Sequence, residues 1–290
     1  MTDLAPDRVL PSGDSTTGYL LKLSRPRFWL YLAGPVVVGV AYAAESATEL
    51  FAPIAVGLFA YFLLPANVFL YGVNDVFDAD VDVENPKKDD REVRYRGESL
   101  VPVLVAATGL LGLAFVPFLP RVGDVAMVVF LLLAVEYSAP PFRFKTTPFL
   151  DSVSNGLYVL PGVIAYSALA GELPPVAAVA GGWLWAMGMH TFSAIPDIEP
   201  DRAAGIETTA TRLGTGYTYA YCAACWLTAA AVFGTVHPFF AAAIGVYPVF
   251  VAVIVARGID VDRAYWWFPA LNTAVGTVFT LAALWVITRG

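Results

Sequence analysis

A chain of 290 residues that is 58% hydrophobic and only 14% charged cannot be a soluble globular domain, whose surface at this size would demand far more charge. A mean hydropathy of +0.66 places it among polytopic membrane proteins. Its net charge of −7 offers no footing for nucleic acid, and acidic polar segments of this kind suit a high-salt milieu.

The first residues, Met1 to Gly18, are polar and lack the apolar core of a signal peptide, so no cleaved leader is expected. Residues 1–21 are set apart as a polar N-terminal segment, and 22–290 are treated as one transmembrane domain. Over 15–28, Tyr19, Leu20, Leu21 and Leu23 lie beside Lys22 and Arg25, a pattern that suits an amphipathic helix on a membrane surface. Hydropathy then gives nine spans, at 27–44, 51–73, 100–119, 123–140, 152–170, 175–195, 217–235, 238–257 and 266–288. Each is near the ~20 residues that cross a bilayer. With the N-terminus inside, every basic residue except Arg121 and Arg289 falls on one side. That positive-inside bias predicts a multi-pass cell-membrane protein whose N-terminus is cytoplasmic.

Span two runs directly into Asn74, Asp75, Asp78 and Asp82. Asn74, Asp78 and Asp82 recur every four residues, so a helix stacks them on one face with Asp75 beside the stripe. Carboxylates at a membrane edge are costly, repel one another and call for a cation. The set is all oxygen, which favours Mg²⁺ bridging carboxylates to a phosphorylated substrate. A solvated helix end is the plainer alternative. Asp80 and Glu84 lie off the stripe and read as solvated. The following loop carries Lys88 and Arg94, which either clamp diphosphate oxygens or serve topology alone. Arg25 and Arg27, ahead of span one, carry the same ambiguity.

Span four closes on Tyr137 and, beyond a Pro-Pro pair, Lys145. A phenol there can donate to a leaving diphosphate and an ammonium can neutralise it, unless both simply belong to an interfacial belt. Glu136 is a candidate proton acceptor, or the partner of a cation on another helix. His190 precedes Asp197 by seven residues, two helical turns, and so lies deeper on about the same face. It can pass a proton, contact a cationic intermediate, or satisfy a helix contact. Asp197 and Asp201 repeat the four-residue spacing, with Glu199 pointing elsewhere. Four spans separate the two acidic clusters, so both end at one membrane face, and this parity supports a single shared site. Spans two to four and six to eight also share a plan that suggests an internal repeat. Cys222 and Cys225 form a C-x-x-C inside an apolar segment and read as small core residues. Trp183, Trp185, Trp266 and Trp267 are candidates to line an elongated cavity, the last two better suited to facing lipid. A transporter also uses intramembrane carboxylates, but two clusters at one face followed by basic residues argue against it.

Taken together, Asn74-Asp75-x-x-Asp78-x-x-x-Asp82, Asp197-x-x-x-Asp201 and the Tyr137…Lys145 loop resemble the UbiA superfamily of intramembrane prenyltransferases. The resemblance covers nearly the whole chain from about residue 22. It implies an all-α polytopic membrane fold of nine transmembrane helices around a central cavity. It also implies Mg²⁺ on Asn74, Asp75, Asp78, Asp82, Asp197 and Asp201, and a prenyl diphosphate held by Arg25, Lys88, Arg94 and Lys145. Asp78, Asp197, Tyr137, Lys145 and His190 then form the catalytic set. Within the superfamily, His190 to Asp201, Gly205 to Gly214 and Ser24 to Pro35 are similar to the haloarchaeal carotenoid branch. That branch implies dimethylallyl diphosphate as donor and lycopene as apolar acceptor, with or without hydration, on the way to fifty-carbon carotenoids such as bacterioruberin. The Asn85-Pro-Lys-Lys sequence departs from the N-R-P type of quinone and ether-lipid members, which remain the alternative.

Overall fold

The computed structural model describes residues 15–78, 95, 97 and 99–289, and all regular structure among them is helical. In chain order the helices are α1 (Thr16–Leu23), α2 (Trp29–Ala43), α3 (Pro53–Leu63), α4 (Pro65–Phe77) and α5 (Leu100–Leu113). There follow α6 (Arg121–Glu136), α7 (Leu150–Ser154), α8 (Leu160–Ala170), α9 (Val176–Ser193) and α10 (Ile198–Ala203). The last are α11 (Thr209–Val236), α12 (Pro238–Ile244), α13 (Val246–Arg257), α14 (Val261–Tyr265) and α15 (Phe268–Arg289).

Among the described residues, six stretches are long and apolar enough to cross a bilayer: Pro53–Phe77, Leu100–Phe118, Leu150–Ala170, Thr209–Val236, Pro238–Arg257 and Val261–Arg289. The other three expected spans coincide with α2, α6 and α9, of 15, 16 and 18 residues. The first two fall short of ~20 residues, and the polar end of α9, His190 to Ser193, dilutes its apolar character. Prolines set several breaks. Pro65 opens α4 immediately after Leu64, because a ring at the first helical position loses no intrahelical bond. Ser15 caps α1 by accepting the Gly18 N–H at 3.0 Å. Tyr19 and Leu23 of α1 are buried in the protein core, so its apolar face is occupied by α4 and its neighbours.

The helices bury two apolar clusters. One gathers Leu32, Val36, Leu58, Phe62, Met127, Phe130 and Ile164, all 0% exposed. The other gathers Phe192, Trp226, Tyr247 and Phe268, again 0% exposed, together with Tyr31 from α2. Phe28 and Tyr158 pack against both clusters and mark the seam between them. α2 crosses α8 closely enough that a Cβ on Gly39 would collide with the Gly162 carbonyl. α9 lies along α11, and α15 returns to pack on α2, so the last helix closes against the first long one. The carboxylate-bearing ends of α4 and α10 come from opposite sides of the seam.

Candidate active site

Asn74 and Asp75 stand on the last turn of α4, and the Asp78 N–H, just past it, still donates to the Asn74 carbonyl at 2.9 Å. Asp75 is 1% exposed and Asp78 8%. Two carboxylates so enclosed need cations against them, and three basic side chains supply these. Arg25 leads into α2 from the left-handed region (φ 49°) and places Nη2 3.1 Å from Asp75 Oδ1. Its guanidinium lies 4.6 Å over the Tyr71 ring. Arg143 Nη2 is 3.2 Å from Asp78 Oδ1, and the Lys145 ammonium bonds the same oxygen. Asn74 Nδ2 donates to Ser138 Oγ at 2.9 Å.

The loop after α6 is folded to deliver these groups together. The Lys145 N–H donates to the Tyr137 carbonyl at 3.0 Å, and the Arg143 N–H to the Ala139 carbonyl at 3.1 Å, on either side of the cis Pro140–Pro141 bond. Burial lowers the Lys145 ammonium pKa to about 8, while Asp75 and Asp201 pull it back upward. The charge of Lys145 is thus within reach of the first acidic motif and of the second. Tyr137 Oη stands 3.2 Å from His190 Nε2, the rings edge to face at 5.7 Å. α9 ends at Ser193, so Asp197 belongs to a separate tight turn, Ile195–Asp197, and Asp201 to α10. The helix axis thus breaks between His190 and Asp197, but the Asp197 charge still reaches the His190 ring, which is also tied to Tyr137. Glu199 is exposed and pairs with Arg202 at 3.1 Å.

Asp82, Lys88 and Arg94 lie outside the described residues. Trp266 and Trp267 are 43% and 64% exposed, as lipid-facing or interfacial rings would be. Trp183 donates to the Val153 carbonyl at 2.8 Å and lies on Gly156, where a Cβ would strike its ring. Cys222 and Cys225 are buried free thiols.

Residues 32–275 match the UbiA prenyltransferase family. The chain belongs to that family. This prenyltransferase is 62% identical over 294 residues, covering the whole of both chains, to the lycopene elongase/hydratase of Haloarcula japonica. It is 66% identical over 272 residues to the lycopene elongase/hydratase of Haloferax volcanii, covering 94% of this chain and 90% of that one. The fold is shared with the UbiA homologue of Archaeoglobus fulgidus solved with DMAPP and Mg²⁺: TM-score 0.70, 22% identity, 93% of this chain and 99% of that one.

Among the described residues of the prenyltransferase, no three His, Cys, Asp or Glu side chains are grouped closely enough to hold a metal ion. The donors present nevertheless fit magnesium. Asn74, Asp75 and Asp78 offer only oxygen from a carboxamide and two enclosed carboxylates, and Arg25, Arg143 and Lys145 show that these oxygens already attract positive charge.

Neither Arg143 nor Asp151 stands out in the sequence. Arg143, two places before Lys145, shares the positive-inside pattern of every loop cation on that side. Asp151 is 1% exposed and accepts the Thr209 N–H at 2.9 Å and also the Thr209 hydroxyl, binding α7 to the first turn of α11. Asn155 Nδ2 donates to its carbonyl at 2.6 Å, and next to it Ser152 joins Thr191 (2.8 Å) and Tyr221 (3.0 Å). No local spacing could reveal Asp151, because its partner is 58 residues away.

Proposed function

We propose that this prenyltransferase moves a dimethylallyl group from its diphosphate to each end of lycopene and hydrates the product, as a step toward fifty-carbon carotenoids. The observation that carries this reading is the full-length identity of 62% to the Haloarcula japonica lycopene elongase/hydratase. Under it, α2, α6 and α9 join the six longer stretches as nine spans around a central cavity, with the N-terminus and the site on the cytoplasmic side.

Asn74, Asp75, Asp78, Asp82, Asp197 and Asp201 would hold magnesium, which when bound neutralises the diphosphate and favours its departure. Support comes from the Archaeoglobus fulgidus homologue, which was solved with both DMAPP and Mg²⁺. Arg25, Arg143 and Lys145 stand ready to exchange a carboxylate for diphosphate oxygens, Arg by a fork and Lys as a point charge. Lys88 and Arg94 belong to the same clamp. Tyr137 donates to the departing diphosphate, and His190 fixes the direction of its hydroxyl. Departure leaves an allyl cation, which the terminal double bond of lycopene attacks to give a tertiary cation. Loss of a proton from that cation gives an alkene, and capture of water gives an alcohol. Lycopene carries no charged handle, so the cavity must select it by length and shape.

The test is incubation of membranes containing the protein with lycopene, dimethylallyl diphosphate and magnesium, followed by mass resolution of the pigments. Five-carbon additions with added water are expected. Unchanged lycopene beside folded protein would overturn the carotenoid reading and direct the same assay to geranylgeranylglyceryl phosphate or a quinone precursor.

A further inference from the structure

The Tyr31 hydroxyl is a buried polar group that the chemistry above does not use. Tyr31 is 8% exposed, and its oxygen has no hydrogen-bond partner among the described residues. Stranding a hydroxyl in an interior is costly, and proteins rarely leave one so without a reason. Its surroundings are aromatic. The Phe28 ring is 5.2 Å away and the Tyr158 ring meets it edge-on at 6.2 Å. Phe28 in turn touches Tyr71 at 6.2 Å and Tyr265 at 6.5 Å. The hydroxyls of Tyr158 and Tyr265 lie near enough to act electrostatically on that of Tyr31. A polar spot rimmed by several hydroxyls inside an apolar shell is the kind of place that holds one water, which needs two to four polar partners.

The position of this spot relative to the carboxylates is also fixed. Arg25 bonds Asp75 and lies over Tyr71. Tyr71 contacts Phe28, and Phe28 and Tyr158 both meet Tyr31. Tyr31 therefore sits two ring contacts beyond the carboxylate–arginine pair, by way of Tyr71 and Phe28. It also sits at the seam between the two apolar clusters, against Phe28 and Tyr158. On the side of the polar loops, Arg27 donates to the Trp266 carbonyl at 3.1 Å and covers the Trp266 ring at 3.5 Å.

We infer that Tyr31 holds the water that hydrates the product, within a cage of Phe28, Tyr71, Tyr158 and Tyr265 that faces the tertiary cation; this rests on the lycopene reading. The balance is simple. The carbon–oxygen bond to diphosphate breaks to leave the allyl cation, the terminal double bond of lycopene then forms a carbon–carbon bond to its allylic carbon, and the electron deficit passes to the dimethyl-bearing carbon of lycopene. Ring faces stabilise that cation. A lone pair of the held water forms the new carbon–oxygen bond, and the excess proton leaves for the diphosphate released in the same turnover. Tyr31 remains unchanged: it orients the water and is not consumed.

The experiment is Tyr31→Phe in full-length protein in membranes, assayed with lycopene, dimethylallyl diphosphate and magnesium in heavy-oxygen water. Five-carbon transfer should persist, while the ratio of hydrated to unhydrated product falls about tenfold, the worth of one hydrogen bond. Incorporation of heavy oxygen should fall in the same proportion. Because the hydroxyl has no protein partner to lose, the variant should be as heat-resistant as the parent. An unchanged ratio overturns the inference, as does loss of transfer together with hydration in a folded variant. If the parent itself leaves lycopene unaltered, the substrate reading fails and the inference falls with it. If the parent transfers without hydrating, the inference falls together with the hydration step, while the transfer reading stands.

Discussion

Three cations on two carboxylates is an arrangement with a chemical consequence. Arg25, Arg143 and Lys145 offset the charge of Asp75 and Asp78, so each is a group that substrate binding can recruit. Arg143 is the most instructive to change, because it is the most exposed of the three at 36% and its loss leaves Asp78 still paired with Lys145. Arg143→Ala should raise the KM for dimethylallyl diphosphate roughly ten- to a hundredfold, the range of one hydrogen bond to a charged group, with a smaller change in kcat. Arg143→Lys should restore part of the affinity, since a point charge remains but the fork is lost. Steady-state kinetics over donor concentration checks both, and an unchanged KM would remove Arg143 from the clamp. At this scale the sequence displayed the acidic motifs plainly, because charge is rare in so apolar a chain. It concealed Arg143, because every loop cation on that side also answers to topology. It concealed Asp151 for a different reason: a lone carboxylate paired across the fold leaves no local pattern.

Among the elements, α2 carries more than its length suggests. Arg25 and Phe28 lead into it, Tyr31 stands on its first turn, and Gly39 fixes its crossing with α8. A Cβ at Gly39 would meet the backbone of Gly162, which cannot rotate aside as a side chain would. Gly39→Ala should therefore destabilise the protein by about 1–3 kcal/mol, the usual range for overpacking. The same change at Gly34, five residues earlier on that helix and with open space around it, should cost well under 1 kcal/mol beyond propensity gains. Thermal unfolding of the two variants in detergent separates the cases, and equal behaviour would mean the crossing is looser than the geometry states. Hydropathy located such helices well, placing 100–119 where Leu100–Phe118 is found. It merged α3 with α4, because averaging over a window erases the break that Pro65 makes. It also treated His190 and Asp197 as one continuous helix, where α9 ends at Ser193 and the chain turns before Asp197. Periodicity assumes an unbroken axis, and this site is assembled where axes break.

For the molecule as a whole, the decisive property is that its charged ends meet at one face. The ends of α4, α6 and α10 converge through Asp75, Lys145 and Asp201, and Arg27 adds the junction of α14 and α15 through the Trp266 carbonyl. Parity of the hydrophobic segments had implied this convergence, because an even number of crossings separates the two motifs. What parity cannot supply is the packing of opposite halves across the seam, which depends on shapes such as Phe28 and Tyr158 touching both clusters. The sequence adds a direction: counted along the hydrophobic segments, the basic residues other than Arg121 and Arg289 are expected on the side of the site, which predicts that face to be cytoplasmic. Single cysteines test it, because the native Cys222 and Cys225 are buried. Glu172→Cys, in the exposed turn after α8, should react with a membrane-impermeant maleimide in intact cells. Asp262→Cys, in the exposed start of α14, should react only after the membrane is opened. The reverse pattern would put the carboxylates outside the cell, away from the phosphorylated donors of metabolism. A charged diphosphate does not cross a hydrocarbon layer unaided, so a site facing outward could not be supplied, and the transfer reaction would have to be abandoned along with the topology.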